Sequence, residues 1–256
     1  MAGKDVLRAA TKELAFPGEL TDGARGQGVR RLQEWLAFHR CATPIDGEFG
    51  PATRAQLDRF VQAGGAAPRG ALDEGTWTRL VAPLATAIAP IDPGAGATVA
   101  STTLRLAQQH LAAHPVEIGG DNRGPWVRAY MDGNEGPEWA WCAGFVTLLV
   151  AHACQLLDVA MPVTRTFSCD VLAMDAKAKK RLSNPKTADW PSLGAAQIFL
   201  VQRTSNDWTH TGLAFAGNGQ TFSTIEGNTN DSGSREGFEV CARERSLDGK
   251  SIVVLD

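Results

Sequence analysis

Four side chains could together carry out nucleophilic catalysis. Cys142 lies in Trp141-Cys142-Ala143-Gly144-Phe145-Val146, His210 in Thr209-His210-Thr211-Gly212, and Glu226 and Asn228 in Thr224-Ile225-Glu226-Gly227-Asn228. A thiolate attacks a carbonyl carbon, an imidazole moves the proton, and a polar third group fixes the ring and its tautomer. From Cys142 to Leu157 there is no Asp, Glu, Lys or Arg, so this stretch reads as a central, buried helix. Cys142 then sits in its first turn, where free N–H groups and the partial positive charge of the helix end favour a thiolate. Cys154 lies deep in the same helix and gains nothing from it. Cys41, Cys154, Cys169 and Cys241 read as small buried hydrophobes. Five cysteines without a CxxC argue against a disulfide framework and against a Cys-rich zinc site.

The histidine must be brought to the cysteine by other elements. Ala195–Val201 reads as a strand, Thr209–Ala216 as a second, and Thr221–Asn228 as its hairpin partner across Gly217-Asn218-Gly219-Gln220. A hairpin symmetric about Asn218 sets His210 opposite Glu226 and keeps Asn228 on the same face. A slip of one residue would break that face. The competing reading is a strand histidine beside a turn cluster. Either Glu226 or Asn228 could orient the ring; the pairing favours Glu226.

The N-terminal part carries no catalytic pattern. Val29, Leu32, Trp35 and Leu36 follow helical spacing; Gly50-Pro51 opens a second helix, with Ala55, Leu57, Phe60 and Val61 on its apolar face; Asp73 caps a third. Asp46-Gly47 supports a tight bend between the first two. The order Gly28-Val29, Leu32-Gln33, Leu36, Asp46-Gly47, Phe49-Gly50, Thr53, Phe60, Gly70, Asp73, Thr76-Trp77 and Leu80 resembles the small three-helix peptidoglycan-binding domain of bacterial cell-wall hydrolases. The likeness covers roughly residues 16 to 82. It departs at Phe38-His39-Arg40-Cys41, where that family often has Gly, and at Val61-Gln62 in place of Phe-Gln. The competing reading is a helical bundle whose pattern is all core. Pro83, Pro90 and Pro93 among Ala, Gly and Thr suggest a linker. The expected organisation is therefore a helical domain at 1–82, a linker at 83–100 and a second domain at 101–256.

Within that second domain, the Cys142, His210-Thr211-Gly212 and Glu226-to-Asn230 segments resemble the CHAP family, cysteine- and histidine-dependent amidohydrolases and peptidases with a papain-like core. Asn122-Arg123-Gly124-Pro125 and Ser234-Arg235-Glu236-Gly237 are similar to loops of one CHAP-like subgroup. The resemblance implies an α+β fold, a small three-helix bundle followed by helices packed on an antiparallel sheet. It implies Cys142 as nucleophile, His210 as general base, Glu226 as the ring-orienting residue, Asn228 as a further polar member, and oxyanion stabilisation by the Cys142 backbone N–H. The implied activity is hydrolysis of a peptidoglycan amide, either the muramoyl–L-alanine bond or a peptide bond of the stem. The implied partner is peptidoglycan, with no metal or organic cofactor. The alternative is a non-catalytic wall-binding or adhesion protein with an inactive domain of the same fold; a complete Cys142/His210/Glu226/Asn228 set argues against it.

Composition narrows the remaining classes. With 25 Lys+Arg against 28 Asp+Glu, the net charge of −3 gives no reason to expect nucleic acid or an anionic membrane as partner. Residues 139–157 are broken by His152 and Gln155 and read as buried helix, not membrane span. Trp126, Trp141 and Trp208 are expected as substrate-binding faces, and Trp139 as core. His110 and His114 are spaced like metal ligands but read as a helix-end pair. Asp132-Gly133-Asn134-Glu135 and Asn228-Thr229-Asn230-Asp231 read as solvated loops, not calcium sites. Lys177-Lys179-Lys180-Arg181 reads as a solvated helix end. Met1–Arg8 has no signal-peptide pattern. The expectation is a monomer made in the cytoplasm that reaches the wall as a phage endolysin or secreted effector, an effector being accompanied by an inhibitor protein.

Overall fold

The computed structural model describes residues 5–183, 195–230 and 237–256. Within them the chain is α+β. Helices α1 (Arg8–Leu14), α2 (Gln27–Phe38), α3 (Pro51–Ala63) and α4 (Glu74–Ala87) come first. Then follow α5 (Val99–Ala112), α6 (Pro125–Tyr130), α7 (Cys142–Leu157) and α8 (Cys169–Ala178). Strands β1 (Leu182–Ser183), β2 (Gln197–Thr204), β3 (Asp207–Phe215), β4 (Thr221–Thr229), β5 (Glu239–Ser246) and β6 (Lys250–Val253) make one sheet, in the order β1-β6-β2-β3-β4-β5. Every pairing between its strands is antiparallel.

The expected N-terminal helices form for the expected reasons. Val29, Leu32, Trp35 and Leu36 are all buried on one face of α2. Pro51 is the first residue of α3, and the Asp73 carboxylate accepts the Thr76 N–H at 2.7 Å to cap α4. The buried Gln33 amide welds the Asp46-Gly47 turn to α2. Its nitrogen donates to Asp46 Oδ1 at 2.8 Å and Thr53 Oγ1 at 3.0 Å, and its oxygen accepts the Gly47 N–H at 2.8 Å. Arg40 takes a φ of 60°, the left-handed position at a helix end that glycine occupies without cost. Sequence reasoning missed α1, a seven-residue helix too short to show a period. It packs on α4 and α6.

The expected linker is mostly tied down. α4 runs through Pro83 to Ala87, and α5 starts at Val99 behind a Thr98 capping box. Between them, the Gln109 amide donates to the carbonyls of Thr86, Ala87 and Ala89 at 2.7, 3.0 and 2.9 Å. A charged cluster then joins the bundle to the remainder. Arg128 of α6, 6% exposed, donates to Glu13 of α1 at 2.8 and 3.0 Å and to Glu34 of α2 at 3.2 and 2.6 Å. It also reaches Glu135 at 2.9 Å.

α7 is the central helix, with every residue from Cys142 to Cys154 buried. It packs on α5 on one side and on β3 and β4 on the other. Among the described residues no helix is long and apolar enough to cross a membrane.

Candidate active site

The three elements expected to build the site do converge. Cys142 is the first residue of α7, and His210 and Glu226 come from β3 and β4 of the sheet packed against that helix. All three are buried, at 5, 2 and 0% exposure. His210 Nε2 is 2.8 Å from Glu226 Oε2. Its Nδ1 has no hydrogen bond of regular geometry and is the nitrogen left for the sulfur.

The electrostatics favour an ion pair. The Cys142 thiol is held well below its ordinary value: the Cys169 thiol, His210 and the Thr211 backbone N–H favour the thiolate, against burial. Burial opposes charge on His210, but Cys142 and Glu226 outweigh it and raise the imidazole to about 9. Burial likewise opposes charge on Glu226, yet hydrogen bonds from Arg245 and His210 bring it down to about 2. Arg245 is a member that sequence reasoning missed. Its Nε donates to Oε1 and its Nη2 to Oε2, both at 2.5 Å, the bidentate fork that suits a buried carboxylate. Thr224 completes the shell, donating to Oε1 at 2.6 Å. The only advance signal for Arg245 would have been the strand pairing that brings β5 beside β4.

The register differs from the expected one. Leu213 pairs with Ile225 and Phe215 with Ser223, so the hairpin is symmetric about Gly219, not Asn218. The Asn218 side chain instead accepts the N–H groups of Gln220 and Thr221 inside the turn, both at 2.9 Å. A shift of two residues preserves the face, which is why His210 and Glu226 still meet.

Of the two candidates for orienting the ring, the favoured Glu226 is the one that bonds it, and Asn228, expected as a further polar member, is bonded elsewhere. Oriented by its hydrogen bonds, its oxygen accepts the Trp141 N–H at 3.3 Å and its nitrogen donates to Gly237 O at 2.6 Å. It secures the residue preceding Cys142. Glu117 does the same from another side, accepting Trp141 Nε1–H and the Asn122 N–H, both at 2.8 Å.

The tryptophans correct the sequence reading. Trp126, Trp141 and Trp208 are 0, 0 and 5% exposed and offer no face to a substrate. Trp126 lies among Trp35, Phe38, His110 and Tyr130. Trp141 stacks on Tyr130 with centroids 5.4 Å apart. Trp208 donates to Ser251 Oγ at 3.2 Å. Trp139, expected in the core, is the one described tryptophan that keeps appreciable exposure.

The oxygen-rich loops are committed elsewhere. Asp132 pairs with Arg165 at 2.9 Å, and Glu135 binds Arg128 and the Gly124 N–H. Asp231 and residues 234–236 of the second resemblance loop fall outside the described residues. His110 is buried against the Tyr130 hydroxyl at 2.9 Å, while His114 is exposed, so they do not share a ligand. Lys177 and Lys180 are solvated as expected, but Arg181 instead holds the carbonyls of Val254 and Leu255 at 3.0 and 3.2 Å.

Comparison with known proteins bears on the N-terminal part. Residues 25–80 match the family model described as a putative peptidoglycan binding domain. Over 68 residues, 25% of this chain, the sequence is 38% identical to the zinc D-Ala-D-Ala carboxypeptidase of Streptomyces albus G. That segment is 27% of the relative's length, so the chain spans about a quarter of the curated protein it matches. The domain match supports peptidoglycan as a partner and association with the cell wall.

Proposed function

We propose that this protein is a cysteine-dependent peptidoglycan hydrolase, a wall-binding bundle joined to a CHAP-like domain that cleaves an amide bond. The observation that carries it is the buried Cys142–His210–Glu226 arrangement, whose charges favour a thiolate beside an imidazolium. A buried pair of opposite charges at the N-terminus of a central helix has no evident structural purpose, and perturbed titration of this kind clusters at reactive sites.

In the proposed reaction the Cys142 thiolate attacks the amide carbonyl carbon. Negative charge develops on the carbonyl oxygen beside the first-turn N–H groups of α7, which stabilise it. His210 gives its proton to the leaving nitrogen as the C–N bond breaks, leaving an acyl-enzyme. Neutral His210 then takes a proton from water as the water attacks the thioester, and the acid product leaves with the thiolate restored. Glu226, fixed by Arg245 and Thr224, holds the ring so that Nδ1 faces the sulfur.

The matched relative is a zinc enzyme by name. Among the described residues no group of three His, Cys, Asp or Glu side chains is placed to hold a metal ion. The match over residues 25–80 supports the wall as substrate, since a bundle bound there would raise the local concentration of peptidoglycan at the site.

A digest of purified peptidoglycan read by mass spectrometry tests this. Stem peptides freed from glycan mean an amidase; split cross-links or shortened stems mean an endopeptidase. Wall that binds the protein but stays intact would instead support a non-catalytic binding module.

A further inference from the structure

We propose that Cys142 and Cys169 form a reversible disulfide that closes the site, with Cys169 as the resolving thiol. The two sulfurs are 3.8 Å apart. They are the first residues of α7 and α8, so two helix N-termini meet at one pair of thiols. Sulfur atoms in a disulfide are about 2.05 Å apart, so the bond needs a closing movement of roughly 2 Å. Cys169 is 9% exposed and Cys142 5%, so each sulfur lies mainly against the other.

The two thiols are chemically unequal. Cys142 is the member whose thiolate is favoured, while the hydrogen bond to Cys142, burial and the Cys142 charge raise Cys169 well above the ordinary value. Cys142 is therefore the attacking group and Cys169 the second to react. Cys154, inside α7, is raised by burial to about 11 and is inert by comparison. With a small disulfide such as oxidised glutathione as oxidant, the Cys142 thiolate attacks one sulfur and releases one glutathione thiolate. Cys169 then loses its proton and attacks the Cys142 sulfur of the mixed disulfide, releasing the second glutathione. Two protein thiols have lost two electrons, and the glutathione disulfide has gained them. A nucleophilic thiolate without a resolving partner is open to irreversible over-oxidation; Cys169 diverts it into a bond that a dithiol reductant reopens. Only the consequence, loss of hydrolysis, rests on the function proposed above. The bond itself does not.

The test uses the full-length, pre-reduced protein incubated with oxidised glutathione, acid-quenched, blocked with N-ethylmaleimide and digested without reductant. The expected result is a linked pair of peptides carrying Cys142 and Cys169. Iodoacetamide labelling of Cys142 should fall at least tenfold and recover with dithiothreitol. Cys169→Ser should stop at glutathione on Cys142. Wild-type protein that accumulates that same adduct with no linked pair, or that links Cys142 elsewhere, overturns the proposal without need of any variant. If the bond forms but wall digestion continues unchanged, the hydrolase reading of Cys142 fails while the disulfide stands. If no bond forms but Cys142→Ala abolishes digestion, the disulfide fails and the hydrolase stands.

Discussion

Glu226 bonds the ring of His210 at 2.8 Å although the two residues are not opposite each other in the sheet. The pairing of β3 with β4 ends at Leu213–Ile225, and β4 is irregular between Glu226 and Thr229, with Asn228 at a φ of 54°. The carboxylate reaches the imidazole beyond the last paired residues, a span that a long side chain bridges. Gly212 makes the room. A Cβ there would stand 2.8 Å from Glu226 Cγ and 2.8 Å from Phe199 Cε1.

Gly212→Ala should therefore displace Glu226 while leaving the fold. A misplacement near 1 Å at a catalytic group costs on the order of 100-fold in rate, and overpacking costs about 1–3 kcal/mol. Wall-digestion rates beside a thermal melt check this. A variant with wild-type kcat/KM would mean that Gly212 does not set the position of Glu226.

The pH profile follows from the same groups. The reactive thiolate–imidazolium pair persists until His210 loses its proton near 9, so hydrolysis should decline above that pH. His210 is raised from 6.5 to about 9 on folding; its contribution to stability is complete below 6.5 and is lost as pH rises through 9. Glu226 is lowered from 4.5 to about 2; its contribution is present above 4.5 and is lost as pH falls toward 2. Glu226→Gln removes the anion that supports the imidazolium, and the alkaline limb should move to lower pH. An unmoved limb in a pH–rate series would count against Glu226 as the partner of the ring.

Arg245 holds both oxygens of a fully buried carboxylate. Arg245→Met should destabilise by about 3–5 kcal/mol, the usual cost of stranding one member of a buried pair. The acid limb of the rate profile should also move upward as Glu226 becomes easier to protonate. Arg245→Lys should rescue only in part, because an ammonium cannot make the bidentate fork. Urea melts and the acid limb read the two effects separately.

Arg128 ties the wall-binding bundle to the rest of the chain through Glu13 and Glu34, which are 7 and 0% exposed. Arg128→Met leaves Glu34 with Arg30 at 3.2 Å and Glu13 with Arg31 at 3.6 Å, and should lower unfolding stability by up to about 3–5 kcal/mol, the cost of breaking a buried pair. A loss below about 1 kcal/mol, measured by urea denaturation, would show that the cluster is solvated and not a junction.

Legibility in the sequence tracked how local each signal was. The uncharged run after Cys142, the Asp73 cap and the Pro51 start are local patterns, and they stand where expected. The hairpin face was legible because side chains alternate with a period of two, so even a two-residue error in register kept His210 with Glu226. What depended on distant packing was not legible. Arg245 comes from a strand more than ten residues further on. Trp126 looked available for a sugar but fills the space between α2 and α5. Glu13 and Glu34 read as ordinary surface charges until Arg128, about a hundred residues later, is folded against them. Cys169 read as a small hydrophobe because nothing in the sequence brings the starts of α7 and α8 together.

The central claim is that the Cys142 thiolate is the nucleophile, and its most direct test is the rate of peptide release from purified peptidoglycan by wild type and by Cys142→Ala, at equal wall binding and with both melts recorded. The account predicts a loss of at least about 1,000-fold for the variant, the scale seen when a covalent nucleophile is removed. Release by Cys142→Ala within a few-fold of wild type would contradict it.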